Sequence, residues 1–278
     1  MTRSASREPS KFFNHLVLGL LTSFALVPIL ILGFNSLKSR NEIGQNPLGF
    51  PRTFQLENFP NAWQQGKFAT TMRNSVLFVT GTVLAVLVLG GLAAYSLARL
   101  KPPGADGFML YILVAATIPI WLYLVPLFTL WRTLGLLNNP FGLVMIYTAL
   151  NAPFAIFLLR TFLLSIPREL EDAALVDGAN RFQTLLRIIL PLSWSGFLTV
   201  GLVVALGVWG EFQIALIFVH DPSLFPVTTS YFAFVNRFGR DWALTSAAAV
   251  MMIAPVIIFF LALQRRFIEG LTQGSVKT

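Results

Sequence analysis

Cysteine is absent from the 278 residues, which removes disulfide frameworks, thiolate metal sites and thiol nucleophiles in one step. Charge is scarce as well: 12% of residues are charged against 55% hydrophobic, with a mean hydropathy of +0.71. A water-soluble domain could not hide that much apolar surface, so the bilayer is the expected solvent. Histidine is reduced to His15 and His220, and neither has a metal-ligand cluster or a nucleophile-base pattern around it in the sequence. No catalytic residue and no metal site are therefore expected, and the chain reads as a non-enzyme. A phosphate-cradling loop is missing too: no G-x-x-x-x-G-K-S/T run occurs, and Gly66 and Lys67 form a Gly-Lys pair without the rest of the motif. No cofactor is expected on this chain.

What is present is a series of long apolar runs. Those long enough for a helix to cross about 30 Å of hydrocarbon lie near residues 13–34, 73–97, 108–130, 142–164, 193–219 and 243–263. Open strands would leave backbone groups unpaired in lipid, so the fold class is an all-α membrane protein of about six transmembrane helices, forming a single transmembrane domain over 1–278. The first run is too long for a cleaved leader and is read as a retained span. A formal charge of +8 is scattered between apolar segments and forms no solvated patch, which favours anionic lipid over nucleic acid as the counterpart. Basic residues such as Arg3, Arg7, Lys11, Arg99, Lys101, Arg168 and Arg187 fall on the side of the N-terminus, so both termini are expected to be cytoplasmic. Trp131, Trp194 and Trp242 stand at expected span edges, where an aromatic belt would sit.

Between the fourth and fifth runs lies PRELEDAALVDGANRFQTLLRIILP, within a polar segment at 165–191. Pro167 suits a helix start, and Glu169, Glu171 and Asp172 follow where acids favour the positive end of the helix dipole. Gly178 supplies a stop through positive φ, a second short helix fits 180–189, and Pro191 marks the turn into the next span. The segment reads as a cytoplasmic helix, turn and helix. Leu170, Ala173, Ala174 and Asp177 share a face of small and apolar groups. Two readings fit that face: docking into a groove on another protein, or packing on the base of the chain's own bundle.

Asp172, Ala173, Ala174, then Gly178, then Ile188, Leu190 and Pro191 stand at the spacing of a known pattern: Glu-Ala-Ala, three residues, Gly, nine residues, Ile, any residue, Leu-Pro. The segment is similar to the cytoplasmic loop of membrane permease subunits of binding-protein-dependent ABC importers. Aspartate replaces the usual glutamate at Asp172, with Glu171 beside it. The stretches NSVLFVTGTVLAVLVLGGLAAYSLARLKPPG and LGLLNNPFGLVMIYTALNAPFAIFLLRTFLLSIPRELEDAALVDGA, with the tail RRFIEGLTQGSVKT, resemble the carbohydrate-uptake branch, in particular the maltose-type second permease subunit. The resemblance implies an ATP-driven sugar importer working by alternating access in a bacterial or archaeal inner membrane. Its implied partners are a sister permease subunit forming a heterodimer, two cytoplasmic ATPase subunits that carry ATP and magnesium, and an extracytoplasmic solute-binding protein. By the same resemblance, Glu171, Asp172, Ala173, Ala174, Gly178, Ile188, Leu190 and Pro191 couple to the ATPase. The cytoplasmic tail 264–278 reaches it through Gly270, Gly274, Ser275, Val276 and Lys277.

The substrate path is less constrained. GVWGEFQIALIFVH places Glu211 and Gln213 in what reads as one continuous apolar helix, and an acid at a span centre costs about 2.5–3.5 kcal/mol on insertion scales. Trp209, Glu211 and Gln213 are the candidate pathway residues, an aromatic face and polar acceptors suiting a sugar. Trp209, Glu211 and Phe212 also resemble the family's Trp-Asn-Asp/Glu-Phe run, with Gly210 in place of asparagine. The alternative is that Glu211 pairs with a polar group on another span. Pro119, Pro126 and Pro153 favour kinks, either hinges or fixed packing features. LENFPNAWQQGKF reads as a short amphipathic helix on the outer face, resting Phe59, Trp63 and Phe68 on lipid or bundle. Other classes fit less well. A permease for peptides, amino acids or polyamines is disfavoured by the resemblance of the tail and of the fifth-span run, and a secondary transporter would show paired repeats and buried coupling charges.

Overall fold

The computed structural model of the protein describes residues 11–273, with side chains for residues 13–264. Every regular element among the described residues is helical. In chain order they are α1 (Lys11–Ser36), α2 (Arg40–Gln45), α3 (Asn58–Gln65), α4 (Phe68–Leu100), α5 (Ala105–Ala116), α6 (Ile120–Thr133) and α7 (Pro140–Ser165). Then follow α8 (Glu169–Val176), α9 (Arg181–Leu192), α10 (Trp194–Gly210), α11 (Gln213–Phe218), α12 (Val227–Phe238) and α13 (Trp242–Gln273). Four helices, α1, α4, α7 and α13, are long and apolar enough to cross a membrane, and six crossings result if each of two bent pairs is one span.

Those bends correct two of the continuous runs read from sequence. The run 108–130 is broken between α5 and α6, which meet at 94°. Pro119 is the cause: it cannot donate to the helix, a proline disfavours helical backbone at the residue before it, and it adopts an extended φ −61°, ψ 135° at the start of α6. Pro126 and Pro153, by contrast, lie inside helices that continue past them. The run 193–219 ends its main helix at Gly210 and restarts at Gln213. Its entry is a second bend of 74° between α9 and α10 at Ser193, so Pro191 belongs to the last turn of α9 and does not itself make the corner.

The chain divides into two compact units. One comprises residues 1–68 and 231–254. Here α1 is exposed along its apolar length, and the loop after it is organised on the fully buried Lys38. The amphipathic helix read from sequence is present as α3, and of the two supports open to Phe68, lipid or bundle, it takes the protein one. It is buried, stacked on Trp63 at 6.2 Å and meeting Phe234 edge-on at 6.4 Å.

The other unit comprises residues 69–230 and 255–278. Its core is formed by α4, α7 and α10, around Val86, Ala94, Ala155, Leu159, Val200 and Val204. Small residues allow the close approach, as expected where lipid removes the hydrophobic drive between helices. A Cβ on Gly91 would stand 2.8 Å from the Phe197 ring, and one on Gly196 would stand 2.5 Å from Phe162. Two stretches of α4, Val86–Gly90 and Ser96–Leu100, widen to π-helix. Trp131 is not part of an aromatic belt: its indole is buried and donates to the Gly142 carbonyl at 3.0 Å. Trp194 and Trp242 are exposed at helix starts, as a belt requires.

Candidate functional site

The helix-turn-helix expected from local chemistry is present. Acidic Glu169, Glu171 and Asp172 occupy the first turn of α8. Gly178 takes φ +85°, and the amide of Ala179 returns to the Ala174 carbonyl at 2.9 Å, closing the helix end. Asn180 starts α9 with a capping box, its side chain accepting from the Gln183 amide while the Gln183 side chain accepts from the Asn180 amide, both at 2.9 Å.

The two acids at the head of α8 face differently. Glu171 turns inward, its side chain 15% exposed, and its Oε1 lies 2.9 Å from the Nε of Arg99. The Arg99 side chain is only 3% exposed, and its Nη2 donates to the carbonyls of Leu163 and Ile166, at 2.5 and 2.7 Å. The Arg99–Glu171 contact is an ion pair without hydrogen-bond alignment. Arg99 thus gathers the end of α4, the end of α7 and the first turn of α8. It was counted from sequence only as a cytoplasmic charge, because nothing local distinguishes a lysine-like surface arginine from one that reaches across elements.

Asp172 is exposed, as are Leu170, Ala173, Val176 and Asp177, whereas Ala174 is buried. The face read from sequence therefore splits. Ala174 and Glu171 turn toward the bundle, and Leu170, Ala173, Val176 and Asp177 stay open. Ile188 and Leu190 are half-buried and Pro191 is exposed, while Ile189 between them is fully buried. A cavity of about 180 Å³ opens beside α8, lined by Tyr95, Arg99, Arg168, Glu171, Asp172 and Arg181 among others. Gly270 falls in α13, and Gly274, Ser275, Val276 and Lys277 lie outside the described residues.

The candidate pathway residues are not brought together. Glu211 is not inside a helix. It follows the last residue of α10 in extended backbone, φ −68°, ψ 133°. Its Oε1 accepts from the Ile214 amide at 2.7 Å, and its Oε2 accepts from the Ala215 amide at 3.2 Å and from the Tyr147 hydroxyl at 2.6 Å. Its carbonyl accepts from Thr228 Oγ1 at 2.7 Å. The carboxylate therefore caps α11 and ties it to α7, which is the alternative left open by the sequence. Trp209 instead lines an apolar cavity of about 290 Å³ with Val79, Thr80, Leu206, Val256 and Phe259 among others, and Gln213 is exposed.

Beyond the break, side chains stitch the segment 219–227 in place. Asn138 Oδ1 accepts from the amides of His220 and Asp221, Asn74 Nδ2 donates to the carbonyls of Ser223 and Phe225, and the Val227 amide donates to Ser75 Oγ. Asp221 caps the following turn, and donors from Ser223 hold its carboxyl below its ordinary value.

Comparison with known proteins gives three kinds of likeness. Residues 86–273 match the family described as "Binding-protein-dependent transport system inner membrane component". The chain is 34% identical over 250 residues to the probable ABC transporter permease protein YurM of Bacillus subtilis, covering 90% of this chain and 83% of that protein. It is 31% identical over 281 residues to the diacetylchitobiose uptake system permease protein NgcG of Streptomyces coelicolor, covering 100% and 93%. Among solved structures, a chain of a bacterial ABC transporter involved in the import of the acidic polysaccharide alginate superposes with a TM-score of 0.80. That match has 25% identity over 96% of this chain and 99% of the other.

Proposed function

The chain belongs to the family of binding-protein-dependent transport system inner membrane components, and on that premise we propose that it is the second permease subunit of an ATP-driven importer of a sugar or sugar-like solute. The observation that carries this reading is the α8–α9 element, a helix pair fixed to the bundle by Arg99 on one side and open on the other. Sugar as the substrate class is supported by the relatives, one named for diacetylchitobiose uptake and one involved in alginate import.

In this reading the exposed face of α8, with Asp172 at its head, seats in a cleft of an ATPase subunit, and ATP and magnesium are held there and not on this chain. Two such subunits, a sister permease forming a heterodimer and an external solute-binding protein complete the importer, and both termini of this chain are cytoplasmic. Gly270 and the residues from Gly274 to Lys277 extend toward the ATPase pair. Closure of the ATPases on ATP pushes α8. Because Arg99 binds α8 to the ends of α4 and α7 together, the push moves those helices as one body and switches access from one side to the other. Trp209 offers an aromatic face within an apolar cavity. Glu211 is already engaged by three donors, so most hydrogen bonds to sugar hydroxyls fall to the sister permease.

The test is ATPase activity of the assembled complex in nanodiscs, measured with its binding protein against a panel of mono-, di- and oligosaccharides, oligopeptides and polyamines. Stimulation confined to members of the sugar set is expected. Stimulation by peptides or polyamines alone would overturn the substrate class, and absence of any co-purifying ATPase would overturn the importer reading.

A further inference from the structure

The loop between α2 and α3 presents Leu48, Phe50, Phe54 and Leu56, each more than half exposed and Leu48 71% exposed. It belongs to neither the coupling element nor the span break. The segment is held firmly from behind. Lys38, wholly buried, donates from Nζ to Asn35 Oδ1 at 2.9 Å and to the Asn46 carbonyl at 2.8 Å. Asn58 Nδ2 donates to the carbonyls of Ser36 and Lys38, both at 2.9 Å, and the Gln55 amide donates to the Leu37 carbonyl at 2.8 Å. Both ends of the segment are therefore bonded to the last turn of α1 and the residues that follow it. The polar network lies inside and the apolar side chains point out, the reverse of an ordinary solvated loop.

The depth of those side chains follows from their contact with α1. The Phe50 ring packs edge-on against Phe34 at 5.1 Å, and Phe54 against Phe50 at 6.1 Å. The apolar run of α1 ends at Phe34, with Asn35, Ser36 and the buried Lys38 following within four residues, so Phe34 stands at the hydrocarbon edge and the ring of Phe50 is beside it. The surface continues that of α1, whose Leu20 and Phe24 are also exposed. Arg40, the first residue of α2, and Arg52, in the loop itself, are both exposed and match the phosphate level just outside.

We propose that residues 46–56 are an interfacial anchor, seated at the headgroup–acyl boundary of the leaflet at the Ser36 end of α1, with Phe50 and Phe54 among the acyl chains and lipid as their partner. Phe and Leu side chains on one face, with polar and basic groups on the other, enter the headgroup–acyl boundary, and a preformed segment does so without first having to be ordered. The anchor fixes the height and rotation of α1 at its end, independently of which solute is carried.

Because the chain has no cysteine, a nitroxide on Phe54→Cys reports from one place. In the full-length chain in nanodiscs of phosphatidylethanolamine and phosphatidylglycerol, collisions with oxygen should exceed those with a water-soluble nickel chelate at position 54. The order should reverse at Gln45→Cys, an exposed residue at the end of α2. Position 54 behaving like position 45 would sink the proposal, and so would shielding from both reagents, which would mean that protein covers the loop. Should Phe54→Cys fail to elute as a single species, Leu48→Cys carries the same comparison.

Discussion

At the scale of single residues, the cost of a carboxylate in an apolar segment is met at Glu211 by three donors. Replacing Glu211 with alanine strands the amides of Ile214 and Ala215 and the Tyr147 hydroxyl, at about 1–3 kcal/mol for each buried group left unpaired. Tyr147→Phe removes one donor and leaves the cap of α11 intact, at a cost of about 1 kcal/mol. Thermal unfolding in mild detergent should therefore separate the two, with the larger drop in Tm for Glu211→Ala. A ranking in the opposite order would contradict the capping role. Glycine substitutions should diverge similarly. Gly196→Ala drives a methyl into Phe162 and should cost about 1–3 kcal/mol. A Cβ at Gly210 meets nothing within 4 Å, so Gly210→Ala should leave the melting temperature unchanged or raise it slightly. The sequence left pairing of Glu211 with another span open as an alternative but could not name Tyr147, 64 positions away, nor place the helix break, because Phe212 carries no helix-breaking chemistry.

Among the elements, those whose signals are local were legible. Acids at a helix start and Gly178 at positive φ mark α8 and the turn into α9, and Pro119 marks a break that the hydropathy of 108–130 conceals. The inward turn of Glu171 depends on Arg99, far along the chain, and only tertiary structure brings them together. Two variants should separate the two acids of α8. Arg99→Gln leaves Glu171 without its cation, so amide hydrogen exchange across 166–192 should accelerate at least several-fold, with Arg99→Lys falling between. Asp172→Asn should leave that exchange unchanged and weaken retention of the ATPase during purification. If both variants altered exchange equally, the assignment of Glu171 to the bundle and Asp172 to the partner would be wrong.

For the molecule as a whole, composition was the strongest guide: scarce charge and long apolar runs gave a helical membrane protein, and the count of crossings was right only if each bent pair is one span. Orientation rests on the distribution of lysine and arginine, and it is directly testable in a chain without cysteine. In intact cells, a membrane-impermeant maleimide should label Gln45→Cys and should reach Val176→Cys, whose native side chain is 88% exposed, only after the cells are opened. Labelling of Val176→Cys from outside would place the α8–α9 element away from any cytoplasmic motor. The isolated chain should also show no binding of ATP, as expected without a phosphate-cradling loop.

Arg99 sits inside the second π-helical stretch of α4. A π turn stores an extra residue, and an α-helix advances about 100° per residue. If that stored residue were passed along the helix, the guanidinium would swing away from the Leu163 and Ile166 carbonyls and from the Glu171 carboxylate together. The winding of one helix would then decide whether the mechanical link is engaged, with no span having to unfold.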